Sequence, residues 1–239
     1  MGVDANSTGQ HTMAGEHDHA EAQKPFRFEQ LLNAFERIRY DEPGGGADGF
    51  PQPLPYLHDF VQALTAVSHM FEHLGSAFLF VKRDVLEKRD TLHAVFAADP
   101  AGHETVRQMV EEELRLGTAD TRSGQVGGTR NLLRMMWCVR FLYVLMRDVA
   151  RTHDGTRRNL RDCVWNAYCD ALREHHGTVI VTAVRAALWF LPSEETFLQS
   201  MGVEAARRGE YLTRIEQCFA PLVHRLYAYY EARDLLRLP

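Results

Sequence analysis

The amino-acid sequence predicts an all-α protein. Two observations carry that expectation. From Pro25 onward, apolar residues recur at helical spacing in nearly every segment. No stretch shows the alternating pattern of a half-buried strand, and no internal repeat is present. Several helices read as apolar on more than one face, which predicts that they are buried between others in two helical layers.

Phe26, Leu31, Leu32, Phe35 and Ile38 mark the first helix. A Gly/Pro-rich stretch over residues 43–55 breaks the chain, and Leu57, Phe60, Val61, Leu64, Val67 and Phe71 mark the second. Gly75 predicts a break or bend before a long third helix over residues 76–96. Residues 104–116 form a shorter helix, whose Glu111-Glu112-Glu113 run reads most simply as a solvated face. Residues 117–128 read as a loop, and 129–150 as a strongly apolar helix. Asp154 is placed to cap the next helix, which is expected to run to His176 and stop at Gly177. Residues 178–191 are apolar on most faces and end at Pro192; Ser193 then caps a short helix before Gly202. One or two final helices follow from Glu204 to about Leu236, with Pro221 a kink or boundary.

Residues 1–24 are polar and poor in bulky apolar side chains, and read as a disordered tail; residues 25–239 read as the folded domain. His11, His17 and His19 of the tail are expected to be solvated and not to bind metal. The chain has 239 residues, of which 45% are apolar, enough to bury a sizeable core. A net charge of −5 argues against a nucleic-acid partner and against a polybasic membrane anchor. No apolar signal segment opens the sequence, and its most apolar run, residues 131–146, is broken by Arg134 and Arg140. Cys138, Cys163, Cys169 and Cys218 form no CxxC pair and sit in apolar surroundings, so reduced, buried thiols in a cytosolic protein are expected. Contact with a membrane would then come from the water side and be transient.

Three segments set ionisable residues among apolar ones. Asp84 and Lys88 are four apart on one helix face, as are Arg130 and Arg134, with Trp137 one turn further. His175 and His176 lie at an expected helix end. Taken singly, each has a plain explanation: an intrahelical pair worth about 0.5 kcal/mol, exposed arginines, a capping histidine. Arg134 strains that explanation, because Leu132, Leu133, Met135 and Met136 surround it in a helix that looks buried. A buried guanidinium needs an anionic partner. Asp84 supplies one charge, which leaves a cationic surplus among Lys88, Arg130 and Arg134. A phosphate, with about −1.5 to −2 charges at neutral pH, matches that surplus, and arginine grips it bidentately.

The order and spacing of these groups resemble the glycolipid transfer protein family, and within it the branch that transfers ceramide-1-phosphate. The matching stretches are HLGSAFLFVKRDVLEK (73–88), RNLLRMMWCVRFL (130–142), AYCDALREHHG (167–177), ALWFLPSEETFLQSMGV (187–203) and LYAYYEARDLLRLP (226–239). The resemblance implies a two-layer helical sandwich with an apolar lipid pocket between the layers, no cofactor or metal, and no enzymatic activity. It implies that Asp84 accepts hydrogen bonds from a ceramide amide and nearby hydroxyl, that His176 contacts the amide carbonyl, and that Lys88, Arg130 and Arg134 hold a phosphate. In sugar-binding members a tryptophan stands at the position of Arg134 and an asparagine at that of Lys88, so the cations here favour phosphate over sugar. Phe78, Val85, Leu133, Trp137, Phe141, Val181, Val184, Leu188, Phe190 and Phe197 are implied as apolar lining, with some of them plain core. Trp137 is a rival sugar platform, but its register favours packing.

The chain departs from the family where relatives often follow the site histidine with Pro-Trp, a tryptophan linked to membrane contact: here Gly177-Thr178 stands instead. The implied partners are a sphingolipid and, briefly, a membrane surface, with no nucleic acid, and the protein is expected to act as a monomer in the cytosol. A glycosylceramide carrier and a non-transporting sphingolipid sensor or adaptor are the alternatives. A metal-dependent phosphohydrolase reading rests on His-Asp pairs at 17–18, 58–59 and 153–154, which lack a complete ligand set.

Overall fold

A computed structural model of the chain describes residues 26–43, 49–120, 127–151 and 159–239. Among the described residues there are nine α-helices and no strand. They are α1 (Phe28–Glu36), α2 (Leu57–His73), α3 (Leu79–Ala98), α4 (Val106–Leu116), α5 (Gly128–Arg151), α6 (Leu160–Ala171), α7 (Thr178–Ala187), α8 (Glu194–Ser200) and α9 (Arg208–Glu231). Short 3-10 turns at Ser76–Phe78, Arg173–His175, Leu188–Phe190 and Ala205–Arg207 link some of them. α2 packs along α1 and α3, while α5 packs along α9, α6, α3 and α4. The outcome is the all-α, two-layer helical sandwich that the sequence predicts.

Local chemistry explains most boundaries. Thr105 caps α4 in a reciprocal box with Gln108, and the Asn159 side chain accepts from the Asp162 N–H to start α6. Ser193 does the same for α8 through Thr196. Gly75 takes φ +98°, which L side chains rarely adopt, and so separates α2 from the turn that leads into α3. Asp154, expected as a cap, and the tail 1–24 with its histidines lie outside the described residues.

Four features differ from the sequence reading. Pro221 is not a boundary: α9 runs through it, with Phe219, Leu222, Leu226 and Tyr230 seated in the core. The helix expected to reach His176 ends at Ala171 and gives way to a tight turn, which sends His175 and His176 to tertiary partners described below. α7 is apolar but buries none of its residues, and Val179 is 84% exposed. Its inner face, through Val184 and Ala187, both borders a cavity and packs against the core. Finally, Glu113 is buried, although its neighbours in the acidic run face water. It shares one face of α4 with Val106, Met109 and Val110, and its carboxylate accepts from the Gly128 and Thr129 N–H groups at 2.6 and 2.7 Å. A negative charge there satisfies two orphan donors at the start of α5 and complements its dipole. A Cβ at Gly128 would fall 2.6 Å from Met109 Sδ and 3.1 Å from the Glu113 carboxylate, so a larger residue there would displace the methionine side chain and crowd the cap.

All four cysteines are free; Cys138 and Cys163 are buried, whereas Cys169 and Cys218 are only partly so. No helix among the described residues is long and apolar enough to cross a membrane.

Because the Glu113 bonds are charge-assisted and buried, Glu113→Ala is expected to destabilise the fold by about 2–3 kcal/mol. Urea denaturation checks this; an unchanged midpoint would show that α5 does not depend on the contact.

Candidate functional site

α3, α5, α6 and α7 enclose a cavity of about 680 Å³. Helical periodicity aims the lining inward. α3 contributes Val81, Asp84, Val85 and Lys88, and α5 contributes Arg134, Trp137, Cys138 and Phe141, both sets at three- and four-residue steps. Val164 and Tyr168 enter from α6, His175 and His176 from the turn after it, and Ile180, Val184 and Ala187 from α7.

Of the predicted head-group residues, Asp84, Lys88, Arg134 and His176 line this one cavity. Lys88 donates to Asp84 within α3. His176 Nδ1 lies 3.0 Å from the Tyr168 hydroxyl. Arg130 lies a turn before Arg134 on α5 but is not part of the cavity wall; its Nε donates to the Pro239 carbonyl. Arg134 is partly buried, donates to the Leu238 carbonyl at 3.4 Å and stands over the Trp137 ring, 4.2 Å from its centroid. No carboxylate of the described residues forms an ion pair with it. Burial, and then the neighbouring Arg130, push the Arg134 guanidinium below its usual pKa. The cationic form is therefore held at a cost that an anion would relieve.

The predicted apolar lining divides. Phe78, Val85, Trp137, Phe141 and Val184 face the cavity. Val181 lines an adjoining recess with His176. Leu133, Leu188 and Phe197 are buried outside the cavity wall, and Phe190 is 72% exposed. Residues that spacing did not single out, among them Phe71, Phe80, Tyr168, Leu172 and Ile180, complete the wall. The inward α3 and α5 stripes were available as periodicity signals; the others depend on how α6 and α7 are set. His175 and His176 separate clearly. His175 stacks on Trp137, with ring centroids 3.5 Å apart and planes 4° from parallel, while His176 turns to Tyr168. Trp137 is thus a packed, covered indole.

The His-Asp pair at 58–59 has a structural role: Arg39 Nε and a second guanidinium nitrogen donate to Asp59 at 2.8 and 3.0 Å. The described residues hold no group of three potential metal ligands. The pairs at 17–18 and 153–154 lie outside the described residues.

An apolar cavity of this size, with a few ionisable groups at its wall, in a sandwich of helices, defines a lipid carrier and not a catalytic cleft. A model of the glycolipid transfer protein (GLTP) family matches residues 56–203, and the chain belongs to that family of lipid transfer proteins, which are not enzymes. It is 32% identical over 144 residues to a Danio rerio glycolipid transfer protein, covering 58% of this chain and 68% of that one. It is 27% identical over 193 residues to a Danio rerio ceramide-1-phosphate transfer protein, covering 77% and 89%. Its fold matches human ceramide-1-phosphate transfer protein in complex with 12:0 ceramide-1-phosphate, with a TM-score of 0.72 at 20% identity over 90% of this chain and all of that one.

Burial holds the imidazoles of His175 and His176 below their usual pKa of about 6.5. For His175, Glu174 opposes the shift, and Arg134, His176 and Arg140 add to it; for His176, Asp84 opposes and Arg134 adds. The unfolded chain therefore protonates these groups first, so stability falls as pH drops from about 6.5 toward the folded values. Thermal melts between about pH 7 and pH 5.5 should show a decreasing midpoint, in a window above that of the carboxylates; a rising midpoint would contradict the burial of neutral imidazoles.

Proposed function

We propose that the protein carries a sphingolipid with a phosphate head, of the ceramide-1-phosphate type, between membranes in the cytosol. The observation that carries this reading is Arg134: a partly buried guanidinium at an apolar cavity, beside a second arginine, with only ring and carbonyl contacts. The main-chain carbonyl of Leu238, the hydrogen-bond acceptor of Arg134, is neutral. A phosphate offers charge-assisted, bidentate bonds to the same guanidinium and displaces such an acceptor. Lys88 adds a third cation, and Asp84 and His176 are within reach of one another's charge to receive the amide end of the lipid. The acyl chains enter the apolar walls, each buried CH₂ contributing about 0.8 kcal/mol. An indole covered by His175 offers little open face to a sugar, which argues against a glycosylceramide.

The membrane contact runs through apolar side chains that face water around the cavity. Phe80 is 61%, Val179 84%, Trp189 73% and Phe190 72% exposed. Phe80 also lines the cavity, and the Phe190 carbonyl lies beside Gly75, so the start of α3 and the end of α7 form one rim. Arg161 donates to the Leu188 carbonyl and stands 4.2 Å over the Trp189 ring, holding an aromatic outward next to a cation. That pairing suits an interfacial headgroup layer. Trp189 and Phe190 thereby take over the task that Thr178 cannot perform.

Vesicle-to-vesicle transfer of labelled lipid tests the function. Arg134→Leu is expected to lower ceramide-1-phosphate transfer at least about tenfold with helix content intact. Near-normal transfer would remove the phosphate grip. Asp84→Val should weaken every ceramide-based lipid by about tenfold, phosphate or not; an effect confined to phosphate lipids would place Asp84 elsewhere. A sensor would bind lipid without net transfer in the same assay. The double change Trp189→Ala with Phe190→Ala should cut partition onto vesicles about tenfold and leave lipid affinity in detergent unchanged. Unaltered partition would move the docking face.

A further inference from the structure

Arg134, Trp137 and His175 make one contiguous unit. The guanidinium stands over the indole, and the imidazole lies flat on it. The three side chains are common to two spaces: the lipid cavity and a second recess of about 450 Å³ formed with Glu174, Tyr227 and residues 236–239. None of the three has a carboxylate bond in the cavity, and the one acidic neighbour of His175 is Glu174, 3.4 Å from its Nε2 and otherwise exposed.

We propose that Trp137 and His175 form a stacked platform that positions Arg134 for an anionic head group and couples head-group binding to protonation of His175. The proposal rests on the phosphate-carrier function above and extends it to one residue that the family resemblance leaves as packing and another to which it gives no role.

The positioning half follows from the chemistry of the three groups. Arginine has many rotamers, and with no carboxylate to fix it, its guanidinium would sample several. A cation is attracted to an indole face, and a ring held by a parallel partner cannot swing away. Arg134 is therefore poised at the cavity wall before lipid arrives, which lowers the ordering cost of gripping a phosphate.

The coupling half follows from what surrounds His175. On its own turn are Glu174, which favours the imidazolium, and His176, which opposes it. From α5, Arg134 and Arg140 both oppose it; Arg140 is itself engaged by Asp170 at 2.7 Å. From α9 and the C-terminal segment, Tyr227 and Arg237 line the same recess. From α3, Asp84 and Lys88 line the same cavity, and Pro239 lines the recess. Burial first, with Arg134, His176 and Arg140 adding to it against Glu174, holds the His175 ring below its usual pKa. A phosphate bound at Arg134 cancels the nearest repulsion and adds an attraction of its own. His175 then takes a proton from solvent as the anion binds. Affinity consequently rises as pH falls from about 8 toward the imidazole range near 6.5. The second ionisation of the phosphate, near about pH 6, acts in the opposite direction, so the contribution of His175 is read as a difference from a stack that does not titrate.

Equilibrium binding of ceramide-1-phosphate and of a neutral glycosylceramide, each in vesicles, at about pH 8 and about pH 6.5, with wild type, Trp137→Leu, Trp137→Phe and His175→Phe, tests both halves. Trp137→Leu should weaken ceramide-1-phosphate about tenfold more than it weakens the neutral lipid, whose loss reads the change in the cavity wall, with Trp137→Phe recovering most of the difference. His175→Phe keeps a stacked ring but no proton; the wild-type advantage over it should grow about threefold or more from pH 8 to 6.5. Equal losses for both lipids in Trp137→Leu would overturn the positioning role and leave a packing residue. Parallel pH profiles for wild type and His175→Phe would overturn the coupling. If Trp137→Leu does not fold, the His175→Phe comparison decides the coupling, and a phosphate affinity of Trp137→Phe above wild type would overturn the positioning role. A wild type that binds the neutral lipid as tightly as the phosphate lipid would fail the carrier function itself, and the platform with it; an intact wild-type preference with either negative result fails the platform alone.

Discussion

The molecule is organised around the burial of α5. α3, α4, α6 and α9 pack around this helix, and seventeen of its side chains or backbone positions are buried, from Gly128 to Val149. What stays partly open is a discontinuous stripe, with Arg130 and Arg134 together and Arg140, Tyr143 and Arg147 about 120° further around the helix. A helix so enclosed has to have its first N–H groups satisfied from within the protein, and the Glu113 carboxylate does this from α4. The same enclosure means that any cation on the open stripe is set at the border between core and solvent. Arg140 finds Asp170, and Arg147 lies beside Tyr143 and Asp148. Arg134 finds a ring, a distant carbonyl and a cavity.

That cavity exists because α7 does not close down on the core. Its inward residues, Ile180 and Val184, reach the space from one side while Val81, Val85 and Phe141 reach it from the other. A well-packed interior leaves few voids larger than a water molecule, so a space of about 680 Å³ is not an accident of packing. Its wall joins apolar groups to ionisable ones, which suits an amphiphile with its chains inward and its charge at the rim. In the proposed function, the exposed aromatics at the end of α7 and the start of α3 would serve both loading and membrane contact.

Helix existence was legible throughout, because a 3.6-residue apolar period is a local property. So was the pairing of Asp84 with Lys88, since positions four apart must share a face. The strain around Arg134 was also readable, from apolar neighbours in a buried-looking helix. Less legible were features set by partners distant in sequence. Glu113 looked like one more solvated glutamate in an acidic run, and only the arrival of α5 above it makes it a buried cap. Pro221 looked like a boundary, yet its flanking residues are held in the core. Leu133 and Phe197 have the composition of a pocket wall but fill the core instead, whereas Phe71 and Leu172 reach the cavity from segments with no special spacing.

By itself, then, the sequence determined an all-α fold and the group of residues from which the proposed anionic head-group site is drawn, because periodicity and charge spacing along a helix are fixed by covalent geometry. Only the tertiary structure decided which of those residues meet. It brought Asp84, Lys88, Arg134 and His176 to one cavity and left Arg130 beside it, with its side chain on the C-terminal segment. It also divided the two adjacent histidines, sending His175 onto Trp137 and His176 to Tyr168. Those choices depend on helix crossings and on the tight turn after α6, which set how each side chain meets the cavity.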